Sequence, residues 1–457
     1  MSWVLFGALV ILCAGTVFSA LRHPARFYFY PVLAALTMLG WVVPQLLVLL
    51  DYSGLPPSAL PLTLAMMLLS FVAILLGWRR RVLIPARNEF EYDYKRLLMG
   101  AAALTVFGAY FQIGLRSLPP ELLEMTQWSG IATVYKFFAN TQMLAFAFAW
   151  LVFLRTRSRF ALVVAALNFL FFTEAILIGG RRGVTVEVGV ILAGGLWFIR
   201  RWTPPRAALL TGVAVAAILF NAIGEYRAAT NAGQRFTQGI SLNEAWRNVT
   251  EIDFLDAARP NEQNPRNLEV YNAVMNVAGS QEIMRFSLFS VYWNRIVFAY
   301  VPAQFLGESF KRSLMLPTTE PAYDAFSHIP YTGTTPTGFS DAFQSFWFFG
   351  ALVFFGFSRL MRICYDHATR GEFVFQYLYL VLMKDALHAI THSTSWFVSS
   401  WVYIALFSLP VLMFAAKGRR VGAVGGPRSQ EFYRSRHANG VYEMEAAAAS
   451  SSRDASP

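Results

Sequence analysis

The stretch Pro61-Leu-Thr-Leu-Ala-Met-Met-Leu-Leu-Ser-Phe-Val-Ala-Ile-Leu-Leu-Gly-Trp78, followed at once by Arg79-Arg80-Arg81, decides the class of fold. A helix needs about 20 apolar residues to cross the hydrocarbon core of a bilayer. This stretch carries no charge, and it ends on arginines of the kind that fix a span at the headgroups. Comparable blocks run over Ser2–Ala20, Tyr28–Leu50, Leu97–Leu115, Val134–Leu154, Phe160–Gly179, Val184–Ile199 and Ala207–Ile223. After a long polar stretch come Phe339–Phe357, Phe373–Ile390 and Trp396–Ala416. The expectation is an all-α, polytopic membrane bundle of about eleven spans. Tyr292–Phe305 is aromatic but interrupted by Arg295 and Pro302, so it reads as an interfacial or re-entrant piece.

Composition agrees. Of 457 residues, 56% are hydrophobic and 14% charged, whereas a soluble chain carries about 25% charged residues to coat its surface. The net charge of +11 would suggest nucleic acid in a soluble protein. Here the basic residues cluster at block ends, where they meet anionic headgroups, so no nucleic-acid partner is expected. Cys13 and Cys364 offer neither a disulfide framework nor metal spacing. Ser2–Ala20 lacks the basic start of a signal peptide, and Arg22 and Arg26 follow it instead. It reads as a retained helix with its N-terminus outside.

Alternate loops carry the arginines: Arg22 and Arg26, Arg79 to Arg96, Arg155 to Arg159, Arg200 to Arg206, Arg359 to Arg370, and Lys417 to Arg420. By the positive-inside rule these loops and the C-terminus are cytoplasmic. The expected organisation is a membrane bundle over 1–223, an external, partly helical segment over 224–338, a second set of spans over 339–416, and a disordered cytoplasmic tail over 417–457.

One turn breaks the rule. Gly179-Gly180-Arg181-Arg182-Gly183 places two arginines on the external side. Glycines let a backbone approach a ligand closely, guanidinium groups grip phosphate bidentately, and the helix that follows presents its N-terminus to an anion. Arg227, in Gly224-Glu225-Tyr226-Arg227, falls at the same depth. Three arginines at one level suit a pyrophosphate. The bland alternative is a set of headgroup-solvated arginines, with Arg227 neutralised by Glu225.

The span Phe373–Ile390 carries Lys384, Asp385 and His388, with His392 just beyond. Lys384, His388 and His392 share one helical stripe, and Asp385 stands where it could orient the His388 ring. Ionisable groups inside a span are costly, which marks them as functional candidates. A histidine suits a general base. The competing reading is a polar seam gluing helices together. Glu174 and Glu187 read as cavity-lining or arginine-paired groups. Arg295 either reaches the same cavity or snorkels to the surface.

Taken in order and sidedness, these features resemble the Wzy-type oligosaccharide repeat-unit polymerases, the O-antigen or exopolysaccharide polymerases. The resemblance rests on the Gly-Gly-Arg-Arg-Gly turn, Tyr226-Arg227, Asn294-Arg295 leading to Val301-Pro302, Lys311, and Thr335-Pro336 through Gly350, over about two-thirds of the chain. Asp341 stands where the family's pattern has a glutamate. The resemblance implies a fold like the C-type membrane glycosyltransferases, at a bacterial inner membrane with the active face periplasmic. Its substrate would be an undecaprenyl-pyrophosphate-linked oligosaccharide, transferred to the next lipid-linked unit, with a flippase and a chain-length regulator as partners. On that reading Arg181, Arg182, Arg227 and Arg295 hold the pyrophosphate. His388 or His392 is the base, with Asp385 orienting and Glu225 in reserve. No metal or cofactor is called for. The rival readings are an O-antigen ligase with the same donor, and a transporter or flippase of lipid-linked oligosaccharides.

Overall fold

The computed structural model describes residues 1–79, 90–119, 130–177, 180–222, 247, 250–254, 265–330 and 334–419. The chain divides into two compact units. The smaller, Ala86–Glu91 with Lys417–Pro457, takes part in a two-stranded ribbon of Phe90–Tyr92 and Ala416–Arg419. The larger, Met1–Pro85 with Tyr92–Ala416, is a helical bundle. Its first eight helices are α1 (Ser2–Arg22), α2 (Tyr30–Leu50), α3 (Ala59–Arg79), α4 (Tyr94–Arg116), α5 (Ile131–Thr156), α6 (Arg159–Leu177), α7 (Arg182–Arg200) and α8 (Arg206–Asn221). Next come α9 (Glu269–Ile283), α10 (Ser290–Tyr300) and three short helices, α11 (Ala303–Leu306), α12 (Glu308–Ser313) and α13 (Pro321–Phe326). The last four are α14 (Thr337–Phe346), α15 (Ala351–Thr369), α16 (Phe373–Thr391) and α17 (Thr394–Ala415).

Ten segments among the described residues are long and apolar enough to cross a membrane, with α14 and α15 counted together as one. The chain is a polytopic membrane helix bundle. The block at Ala207–Ile223 accounts for the difference from eleven. Its helix α8 has 16 residues, about 24 Å at 1.5 Å per residue, shorter than the other spans. Outward-facing positions are apolar: Val4, Ile11 and Phe18 on α1, Val106 and Ile113 on α4, and Phe160, Val163 and Leu170 on α6 are exposed. Faces of that kind are stable against lipid rather than water.

Local signals set the helix ends. Asp93 caps α4 by accepting the Lys95 N–H at 2.9 Å, as a carboxylate does at an N-cap. Arg157 and Arg201 end α5 and α7 in the left-handed region, at φ 59° and 56°. Proline at position 44 cannot donate the next i→i−4 bond, and α2 widens to a π-helical turn over Met38–Val42 immediately before it. Such turns recur where helices line functional sites, and Leu39, Gly40 and Trp41 here line the central cavity.

Buried hydrogen bonds tie the early spans to the late ones. The Tyr30 hydroxyl donates to the Ala386 carbonyl at 3.2 Å, and Tyr379 donates to the Tyr28 carbonyl at 2.6 Å. Tyr377 stacks on Phe148 with centroids 3.9 Å apart. On α15, Ser358 donates to the Ile74 carbonyl of α3 at 2.6 Å. Each of the three hydrogen bonds satisfies a polar group that lipid would leave stranded. Together they fix α16 at the centre of the bundle.

Candidate functional site

Gly180 has φ 50°, a left-handed conformation that glycine adopts without strain. The chain there turns back so that the Arg181 N–H donates to the Ala175 carbonyl at 3.0 Å, and Arg181 becomes the N-cap of α7. Arg181 and Arg182 therefore stand at a helix N-terminus, where the dipole already favours negative charge. Cations placed there oppose the dipole unless an anion joins them.

Helix α16 packs against α7 and turns its polar face to the same place. A Cβ on Gly183 would lie 2.8 Å from His388 Nε2, so only a glycine allows so close an approach. The His388 and His392 rings lie 4.7 Å apart at 30°. His392 Nδ1 is 2.7 Å from the Thr391 hydroxyl. Burial, and then the charge of Arg182, lowers the His392 pKa below its ordinary value. Lys384 Nζ contacts Glu187 at 3.1 Å and Asp385 at 3.6 Å. Asp385 thus belongs to Lys384, and among the described residues no hydrogen bond joins it to His388.

From α10, the Arg295 guanidinium lies 4.0 Å over the Trp396 ring and faces the cavity rather than snorkelling away. Its Nε is buried without a hydrogen bond, and burial presses its pKa down. Tyr300 donates to the Ser399 carbonyl at 2.5 Å and Tyr292 bonds Thr394 at 2.9 Å, so α10 is pinned to α17 at both ends. Lys311 is directed elsewhere, donating to the Phe298 carbonyl at 2.9 Å on an exposed surface.

These groups share one cavity of about 1410 Å³. Its polar end holds Arg181, Arg182, Arg295, His388 and His392. Its apolar part follows one face of α7, through Val186, Val190, Ala193 and Gly194 to Phe198 and on to Trp202. From Arg182 to Phe198 that is about 24 Å of helix. Glu174, also in the wall, is ion-paired with Arg116. Glu225, Tyr226 and Arg227 lie outside the described residues.

One group, and the role of a second, escape a reading of motifs. Lys136, on α5, lines the polar end. It is a lone charge within an apolar block, which is the signal that could have found it. Asp341, on α14, accepts from Ser393 Oγ at 2.5 Å, the Thr394 N–H at 2.9 Å and Thr394 Oγ at 2.9 Å. It clamps the turn that follows His392, and Thr335 helps by donating to the Thr391 carbonyl at 3.0 Å. Comparison with protein-family models, with curated proteins and with solved structures finds no match for this chain.

Proposed function

We propose that this chain is a Wzy-type polysaccharide polymerase of a bacterial inner membrane. It would join lipid-pyrophosphate-linked oligosaccharide repeat units on the periplasmic face, with a fold of the C-type membrane glycosyltransferase kind. The observation that carries the reading is the convergence of Arg181, Arg182 and Arg295 with His388 and His392 at one end of a cavity whose remainder is an apolar channel along α7. A headgroup with several negative charges fits the first part and a polyprenyl chain fits the second.

The chemistry asks little more. A polyprenyl pyrophosphate is a good leaving group, so the chief requirement is to stabilise charge as it departs. Guanidinium groups supply that stabilisation within a low-dielectric wall. His392, kept neutral by burial and by Arg182, takes the proton of the acceptor hydroxyl as that oxygen attacks the anomeric carbon. His388, whose ring lies 4.7 Å from it at a tilt, holds the ring in place. Lys384 with Glu187 and Asp385 forms the floor behind.

The test uses purified full-length protein and an undecaprenyl-pyrophosphate-linked oligosaccharide, with products resolved by size. A ladder in the wild type that is lost in Arg181→Ala and Arg295→Ala supports polymerisation. Transfer only to a lipid A core acceptor makes the chain a ligase. Translocation across the bilayer with no new glycosidic bond removes the enzyme reading.

A further inference from the structure

Among the described residues the cavity wall holds six basic side chains, Arg116, Lys136, Arg181, Arg182, Arg295 and Lys384, against four acidic ones, Glu174, Glu187, Glu269 and Asp385. Arg116 is paired with Glu174, and Lys384 with both Glu187 and Asp385. Lys136 differs from these. Among the described residues no acid lies within ion-pair distance of its ammonium and no group hydrogen-bonds it; its electrostatic neighbours are the cations Arg181 and Lys384 and one acid, Glu187, which is itself paired with Lys384. An ammonium inside a span with like charges beside it is expensive. Its place is explained by an anion that arrives with the ligand.

We propose that Lys136 is the contact for the negative charge that appears on the diphosphate as it leaves. This rests on the polymerase reading above. In the bound donor each phosphate is esterified on both sides and carries one negative charge, two in all, which face Arg181, Arg182 and Arg295 at the polar end of the cavity. Transfer breaks the bond between the anomeric carbon and the diphosphate oxygen, and the electron pair stays with that oxygen. The acceptor oxygen bonds the anomeric carbon, and its proton goes to the histidine. The departing diphosphate then bears a third negative charge. Lys136 has a flexible stem, a compact charge and, among the described residues, no ion pair to break, so it can move to that oxygen. An interaction gained only as the bond breaks raises kcat rather than lowering KM.

The test compares two probes on full-length protein in lipid nanodiscs: polyprenyl diphosphate, and the same lipid diphosphate capped with a single sugar. Lys136→Gln is expected to weaken the uncapped diphosphate about tenfold and the capped one less than twofold, while Lys136→Arg restores most of the difference. In turnover, Lys136→Gln lowers kcat with KM nearly unchanged. Equal loss on both probes, or no loss on either, overturns the assignment. A wild type that binds neither probe overturns both this inference and the polymerase reading. A wild type that shows the selectivity, loses it in Lys136→Gln, and yet forms no glycosidic bond leaves the Lys136 contact standing and removes the polymerase reading alone.

Discussion

Replacing Asp341 separates a carboxylate that positions the site from one that reacts. Its three hydrogen bonds reach Ser393 and both the N–H and the hydroxyl of Thr394. In Asp341→Ala the Thr394 hydroxyl can turn to Tyr292, 2.9 Å away, and the Ser393 hydroxyl to Ser395 Oγ, 2.6 Å away, but the Thr394 N–H loses its acceptor. A stranded buried donor costs about 1–3 kcal/mol, and the loss should be of that size. The turn after His392 then loosens. A shift of about 1 Å at a catalytic group can cost on the order of 100-fold in rate. Asp341→Asn keeps the shape. Its amide oxygen can accept from Ser393 and the Thr394 N–H, and its NH2 can donate to the Thr394 hydroxyl. Only charge assistance is lost, about 1 kcal/mol or less. Thermal unfolding in nanodiscs and the size-resolved transfer assay read both effects. The alanine variant should be destabilised and nearly inactive, and the asparagine variant close to wild type in both. An asparagine variant that is stable yet inactive would refute the argument, since the carboxylate itself would then take part in the chemistry. So would an alanine variant indistinguishable from wild type.

Other residues give sharper single readings. Gly183→Ala places a methyl 2.8 Å from His388 Nε2. Alanine suits a helix better than glycine by about 1 kcal/mol, so activity should fall about tenfold or more without loss of thermal stability, and a variant that stays active means that the ring has room to yield. The pH profile of kcat should fall on the acid side below pH 6.5, the ordinary histidine value. The sign follows from the role: a base works while neutral, and its lowered pKa keeps it neutral to lower pH, so activity is lost only as pH drops through that lowered value. Because Arg182 contributes to the lowering, Arg182→Gln should move the normalised acid limb upward, and an unmoved limb would assign it to another group. At the far end of α15, Arg362 pairs with Asp366 at 2.9 Å, both side chains being about one-tenth exposed or less. Arg362→Ala strands a buried carboxylate and should cost about 3–5 kcal/mol, while the activity per folded molecule, measured after size-exclusion, stays unchanged.

What could be read from the sequence divides along physical lines. Membrane class follows from uninterrupted apolar length, because lipid forces every backbone group into a helix. Blocks such as Pro61–Trp78 therefore became spans almost as bounded, Ala59–Arg79 in that case. The gathering of Arg181, Arg182, Lys384, His388 and His392 in one cavity was legible because charge within or at the end of an apolar block is costly and so stands out. Partners were not legible. Spacing along α16 puts Asp385 within reach of His388, yet the carboxylate lies against Lys384, which also pairs with Glu187 of α7, a contact that depends on which helices pack against α16. Lys136 was hidden for a different reason: one lysine barely lowers the mean hydropathy of its block. The work of Asp341 could not be read either, since its three partners are more than 50 residues away.

A cavity that holds cations beside one another has a consequence for stability. Lys136 interacts with two cations, Arg181 and Lys384, against one acid, Glu187, which is paired with Lys384. Like charges in a low-dielectric wall repel more strongly than they would in water, and a site shaped for a ligand commonly sacrifices stability of the empty protein. Lys136→Gln should therefore raise the thermal midpoint of the ligand-free protein while lowering turnover. Saturating diphosphate should raise the midpoint of the wild type, by linkage to the folded state, and raise that of the variant less. The two shifts have one origin, because the repulsion relieved by the mutation is the repulsion that the ligand neutralises. A variant with a lower midpoint than the wild type, or one with an undiminished response to diphosphate, would mean that Lys136 is held by protein contacts and that the cavity's charge is balanced without it.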